Sequence, residues 1–159
     1  MGGVLQYNGD LYQVRVNSFL KSPMALRVEI KNTRLGISSI RRITYNQGNW
    51  AKFNLQMPKN CSFVDVGQLS DVEDFLQSTG LAKPMIVNGS EITRNINNIW
   101  FPLYKFDEDM IKQLDPKGYA SYSKGYDDQY ARESFRYGMA SHKSYFPKMT
   151  EPDLDYHQL

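Results

Sequence analysis

Between residues 4 and 57 apolar and polar positions alternate in short runs, the period of half-buried β-strands. Tyr12, Val14 and Val16 fall on one side of a strand and Gln13, Arg15 and Asn17 on the other. Leu26, Val28 and Ile30 alternate in the same way with Arg27, Glu29 and Lys31. Asn8-Gly9, between the run at 4–7 and the first long run, is a hairpin signal, since both residues tolerate positive φ in a type I′ turn. Pro23 breaks the chain before the second run, and a polar turn at 33–36 leads into a third at 40–46. Gln47-Gly48 opens a further reversal into 50–57, where Ala51, Phe53, Leu55 and Met57 alternate with Lys52, Asn54 and Gln56. The pattern predicts an antiparallel sheet holding 11–17, 25–31, 40–46 and 50–57, dry on one face and solvated on the other.

Downstream the period changes. A short strand is expected at 63–66, then a helix at 71–80 that packs through Val72, Phe75 and Leu76. Ser70 and Glu73 have capping-box spacing, and Gly80 supplies the left-handed stop, with Leu81 as its apolar contact. Asn88-Gly89 signals another hairpin, and Ile99–Phe106 reads as an aromatic strand that Pro102 assigns to an edge or a bulge. Asp107 caps a short helix with Met110, Ile111 and Leu114 inside, and Asp115-Pro116 stops it.

Seven of the eleven tyrosines lie in residues 117–159, and Tyr119, Tyr122, Tyr126, Tyr130 and Tyr137 fall within about 60° of one line on a helix. Gly118, Gly125 and Gly138 each oppose a continuous helix by about 1 kcal/mol. A helix is therefore expected across only about 126–137, with extended chain after Pro147. The resulting fold class is α+β: an antiparallel sheet, two short helices and a Tyr-rich, partly helical C-terminal tail. Residues 1–116 form the core domain, and 117–159 an extension that packs on the core or projects from it.

Charge sharpens this division. Residues 1–60 hold nine basic side chains against Asp10 and Glu29, a net of +7, whereas 61–116 carry a net of −5 and 117–159 balance. The overall +2 hides the segregation. Basic residues on a polar sheet face, with aromatic rings nearby, suit phosphate neutralisation and base stacking, which nominates Arg41, Arg42, Tyr45, Trp50 and Lys52. Tyrosine gives large contact area with little side-chain entropy to lose, which nominates Tyr126, Tyr130 and Tyr137 for a protein interface. The plain alternative is that the tail helix covers an open sheet face.

Catalytic chemistry finds little support. Cys61 has no activating neighbour in sequence and reads as a small buried residue; His142 and His157 stand outside any apolar pattern. One cysteine with two distant histidines makes no zinc site, and Asp71/Glu73/Asp74 and Asp107/Glu108/Asp109 lie where a helix dipole favours acids. No catalytic residue, metal or cofactor is expected. A single cysteine, an N-terminus without the basic and apolar stretches of an export signal, and Gln6 where N-myristoylation needs Ser or Thr predict a cytoplasmic protein with no membrane partner.

Residues 53–84, FNLQMPKNCSFVDVGQLSDVEDFLQSTGLAKP, and 101–116, FPLYKFDEDMIKQLDP, resemble a family of small bacterial proteins of unknown function. Members are typically carried on plasmids, conjugative elements and phages. In that family a strand ending near a proline is followed by a VDV step, a helix ending in GLA-KP and an aromatic strand. Residues 92–98 are longer than the family's compact segment, and the tail lies outside the resemblance. It implies no catalytic residues. What it implies is context: an accessory gene of a mobile element, for which countering host defence is a common role. The expectation is a macromolecule-binding inhibitor of a host nucleoprotein complex, such as a CRISPR effector or restriction system. The alternative is a nucleic-acid-binding module using a basic sheet face with Tyr/Trp stacking.

Overall fold

A computed structural model describes residues 3–20, 22–46 and 57–140, with side chains through residue 133. Among the described residues, two larger antiparallel sheets, a two-stranded hairpin and three α-helices make an α+β fold. The first sheet runs in the order β1 (Leu5–Tyr7), β2 (Asp10–Phe19), β3 (Ser22–Asn32), β4 (Arg41–Arg42). Asn8 and Gly9 turn β1 into β2 with φ of 51° and 83°, as their sequence signal requires. β2 and β3 pair from Tyr12↔Asn32 to Ser18↔Leu26, which puts Val14, Val16, Leu26 and Val28 on the dry face.

The second sheet contains β5 (Thr44–Tyr45), β6 (Cys61–Val64), β10 (Thr93–Ile96) and β11 (Ile99–Phe106), with β7 (Ala82–Pro84) also paired to β11. β8 (Ile86–Val87) and β9 (Ser90–Glu91) form a separate hairpin about Asn88 and Gly89, at φ of 53° and 80°. Ile43 joins the two sheets. Its N–H donates to the Val28 carbonyl at 2.9 Å, and its own carbonyl accepts from Asp65 N–H at 3.0 Å. The single run expected at 40–46 is thus two short strands broken at Ile43. Of the run expected at 50–57, all but Met57 lies outside the described residues. The strand expected at 63–66 is placed slightly earlier, at Cys61–Val64.

β11 is not an edge strand, since β10 and β7 pair on one side and β6 on the other, but at Pro102 itself only the β10 side is paired. Leu103 N–H donates toward Ile92, so alternation turns the Pro102 nitrogen toward β6, whose pairing begins only at Leu103. The missing N–H costs no ladder bond there. β11 is buried on both faces: Tyr104 and Phe106 enter the main core, and Phe101 and Leu103 a second one with Cys61, Phe63, Met85 and Ile92.

Helix α1 (Val72–Thr79) packs through Val72, Phe75 and Leu76 and ends at Gly80, which is left-handed at φ 79°. The Ser70 capping box does not form. Asp71 precedes the helix without a side-chain cap, and Glu73 instead accepts the Tyr104 hydroxyl at 2.6 Å. Helix α2 (Glu108–Leu114) is capped as its sequence demands, with Asp107 accepting from Met110 N–H at 2.9 Å.

Helix α3 (Pro116–Ala140) begins well before the expected 126. Asp115 both ends α2 and starts α3: one carboxylate oxygen accepts from Gly118 N–H at 3.0 Å and the other from Val16 N–H at 2.9 Å. Pro116 occupies the first helical position, where its lack of an N–H costs nothing. Gly118 is required by contact rather than tolerated. A Cβ there meets the Val16 carbonyl at 2.1 Å and the Asp115 carboxylate at 2.2 Å. No helix among the described residues is long and apolar enough to cross a membrane.

Candidate functional site

The tyrosines of α3 face inward. Tyr119, Tyr122 and Tyr126 are 5, 0 and 6% exposed and pack with Val14, Val16, Leu26 and Val28 of the first sheet. Their hydroxyls are spent on the turn before β6. Tyr119 O–H donates to Asn60 Oδ1 at 2.9 Å, Tyr122 accepts from Asn60 N–H at 2.7 Å, and Tyr126 O–H donates to the Met57 carbonyl at 2.5 Å. Asn60, at a φ of 70°, also donates from Nδ2 to Glu108 at 3.0 Å, and its carbonyl accepts from Phe106 N–H at 2.8 Å. Burial pushes the Tyr122 and Tyr126 hydroxyls well above their ordinary range, so they remain protonated. Tyr126, nominated as an interface anchor, is a core residue. Tyr130 is half-buried beside it, with ring centroids 6.3 Å apart, and the Tyr137 side chain lies outside the described residues.

Members of both acidic clusters are occupied too. Asp74 accepts the Tyr7 hydroxyl at 2.7 Å, and Glu108 is held between Lys112 and Asn60, which draw its carboxyl below the usual range. Among the described residues no group of acids, histidines or cysteines is placed to hold a metal. Cys61 is fully buried, and burial pushes its thiol up to about 12, so it is protonated near neutrality. His142 and His157 lie outside the described residues.

The opposite face of the first sheet has another character. Alternation against the buried valines turns Gln13, Arg15 and Asn17 of β2 outward, and the register sets Lys31, Glu29 and Arg27 of β3 across from them. Arg42 of β4 stands across from Glu29. Four cations, Arg15, Arg27, Lys31 and Arg42, thus surround one carboxylate on neighbouring positions of one sheet face. Glu29 is paired with Arg27 at 2.5 Å. Arg42 donates to the Thr44 carbonyl at 3.1 Å and lies over the Phe19 ring at 5.7 Å. Arg15 and Lys31 have no ion pair among the described residues. Both are indistinguishable from ordinary strand charges in sequence, and only the register assembles them with Arg42.

The nominated set does not come together. Arg41 and Arg42 are neighbours in a strand and point to opposite faces: Arg42 joins the cations, while Arg41 stands across from Ile30 and lines a cleft against α1. Ile43 and Thr44 are both fully buried, so the strand slips phase and Tyr45 is carried into the second core. There its ring stacks on Phe101 at 4.2 Å and an interplanar angle of 6°. Trp50 and Lys52 lie outside the described residues. Comparison with family models, curated proteins and solved structures found no match to this chain.

Proposed function

We propose that the protein acts by binding, with the outer face of β2, β3 and β4 seated on the phosphate backbone of a nucleic acid. In the setting implied by the resemblance to mobile-element proteins, the target is the nucleic acid of a host defence complex, which the protein inhibits by occupying it. The observation that carries this reading is the clustering of Arg15, Arg27, Lys31 and Arg42 about Glu29 on one solvated sheet face. Cβ atoms on such a face lie about 4.5–5.5 Å apart across strands and about 7–8 Å along diagonals. The four side chains therefore act as one patch rather than as separate surface charges. Docking a protein through the tail is less well supported, because Tyr119, Tyr122 and Tyr126 are buried and bonded.

Salt titration of binding to DNA and RNA oligonucleotides tests the reading. Four phosphate contacts give a log–log slope of roughly −3 to −4, a loss on the order of 100-fold in affinity between about 50 and 200 mM salt. Replacing Arg15 and Lys31 together by Gln is expected to reduce the slope by about two. Lys124→Gln on α3, whose ammonium is paired with Asp128 at 2.9 Å, is expected to leave it unchanged. Salt-insensitive binding, or equal slopes for the parent and the double variant, sinks the proposal.

A further inference from the structure

Arg41, turned away from the basic face, lines a cleft of about 180 Å³ between β3–β4 and the start of α1. The floor is aromatic and aliphatic. Tyr7, Tyr12 and Phe75 meet edge to face, with centroids 5.0 to 6.2 Å apart, and Ile30 and Ile43 complete it. An enclosed, wholly apolar cavity of roughly 150 Å³ accepts benzene; this open cleft, edged by Asn32, Ser39, Arg41 and Asp71, has a similar volume, enough for one ring or a branched alkyl group.

Its polar groups divide into two kinds. The Arg41 guanidinium makes no hydrogen bond or ion pair among the described residues, unlike that of Arg34 nearby, which is held by both oxygens of Asp10. The Tyr12 hydroxyl accepts from Asn32 Nδ2 at 3.3 Å, which leaves its own proton to donate. Arg41 and Tyr12 thus offer donors to an anion from the sheet side. On the helix side stands Asp71, whose carboxylate makes no cap to α1, while the neighbouring Asp74 is spent on Tyr7. An apolar floor edged by a guanidinium and a carboxylate, neither with a side-chain partner among the described residues, matches a molecule with one hydrophobic body and both charges at its head.

We propose that this cleft binds an α-amino acid with an aromatic or branched apolar side chain, its carboxylate on Arg41 and Tyr12 and its ammonium on Asp71. The ring or alkyl group then lies over Tyr12 and Phe75, away from water, while the charged head meets Arg41, Tyr12 and Asp71 at the exposed mouth.

Calorimetric titration with L-phenylalanine and L-leucine, phenethylamine (no carboxylate) and 3-phenylpropionate (no ammonium) tests the assignment. The expected result is saturable binding of the amino acids, with each half-ligand at least roughly tenfold weaker. Arg41→Gln is expected to weaken phenylalanine by about tenfold or more and to leave phenethylamine unchanged; Asp71→Asn is expected to weaken phenylalanine likewise and to leave 3-phenylpropionate unchanged. Both positions are exposed, and unchanged thermal unfolding certifies the fold of each variant. The proposal is overturned by no saturation with either amino acid at about 10 mM. It is equally overturned by half-ligands binding as well as phenylalanine, or by parent-like affinity in both variants.

Discussion

The tyrosine row of α3 and the charged outer face of β2–β4 lie on opposite sides of the same sheet, and both hold side chains suited to recognition. They differ in what their polar ends are doing. Tyr119, Tyr122 and Tyr126 each have a hydroxyl partner within the protein and rings closed against the core. Arg15 and Lys31 have solvent before them and no ion pair among the described residues. A buried, satisfied group stabilises the fold, whereas an exposed, unsatisfied one is available to a partner. Residue type alone does not separate the two regions, although tyrosine is the more typical interface residue; the difference is whether the polar ends are already bonded within the protein.

The largest effect that sharpens this contrast is at Tyr122. Its ring is fully buried, and Tyr122→Ala is expected to cost roughly 3–5 kcal/mol in chemical unfolding, as for other large core rings. Tyr122→Phe keeps the ring and orphans Asn60 N–H, at about 1–3 kcal/mol. A Tyr122→Ala protein as stable as the parent would release the row from its structural role and reopen the tail as an interface.

The glycines of α3 give a smaller effect that reverses sign along one helix. By propensity alone Gly→Ala should gain up to about 1 kcal/mol at both Gly118 and Gly125. At Gly118 the new methyl runs into the Val16 carbonyl backbone, so Gly118→Ala is expected to destabilise by about 1–3 kcal/mol or more. At Gly125 the nearest atom is Ser18 Oγ at 3.6 Å, an ordinary contact, so Gly125→Ala is expected to stabilise by about 0.5–1 kcal/mol. Paired thermal melts read both. A stabilised Gly118→Ala would mean that the helix does not approach β2 as closely as described.

The same glycines explain why the tail was only partly legible. In sequence Gly118 counts against a helix; in the fold it is the price of bringing α3 onto β2, a tertiary demand with no local signature. Asp115-Pro116 reads as a stop, yet the same pair is a good start, and nothing local says that both apply. Several local readings hold: the Asn8-Gly9 and Asn88-Gly89 turns, the Gly80 stop and the Asp107 cap all stand where the residues place them, while the equally local Ser70 box fails because Glu73 is taken by the distant Tyr104. Arg41 and Arg42 cannot share one polar sheet face, because adjacent residues of a strand point to opposite sides. The cleft draws Tyr12, Arg41 and Asp71 from three elements, so no run of sequence announces it.

The smallest effect concerns a cation of the basic half that is not free. Arg34 binds Asp10 through Nε at 3.0 Å and its terminal nitrogen at 3.1 Å, and Asn32 Nδ2 adds a third bond to the same carboxylate at 2.9 Å. The Arg34 bond and then the Asn32 bond hold the Asp10 carboxyl down to about 2, from its usual 3.8. A carboxyl with a depressed folded-state pKa binds its proton less readily than the unfolded chain does. Its contribution to stability is therefore complete above about pH 4 and is lost as pH falls toward about 2. Denaturant unfolding across that window should show a decline that Asp10→Asn flattens, because the variant has no proton to take up there. Arg34 is exposed and Asp10 only partly covered, so the difference is expected to be slight and to shrink further in high salt. An acid decline equally steep in parent and variant would place the sensitivity elsewhere, with Glu108, held by Lys112 and Asn60, the next carboxylate to replace.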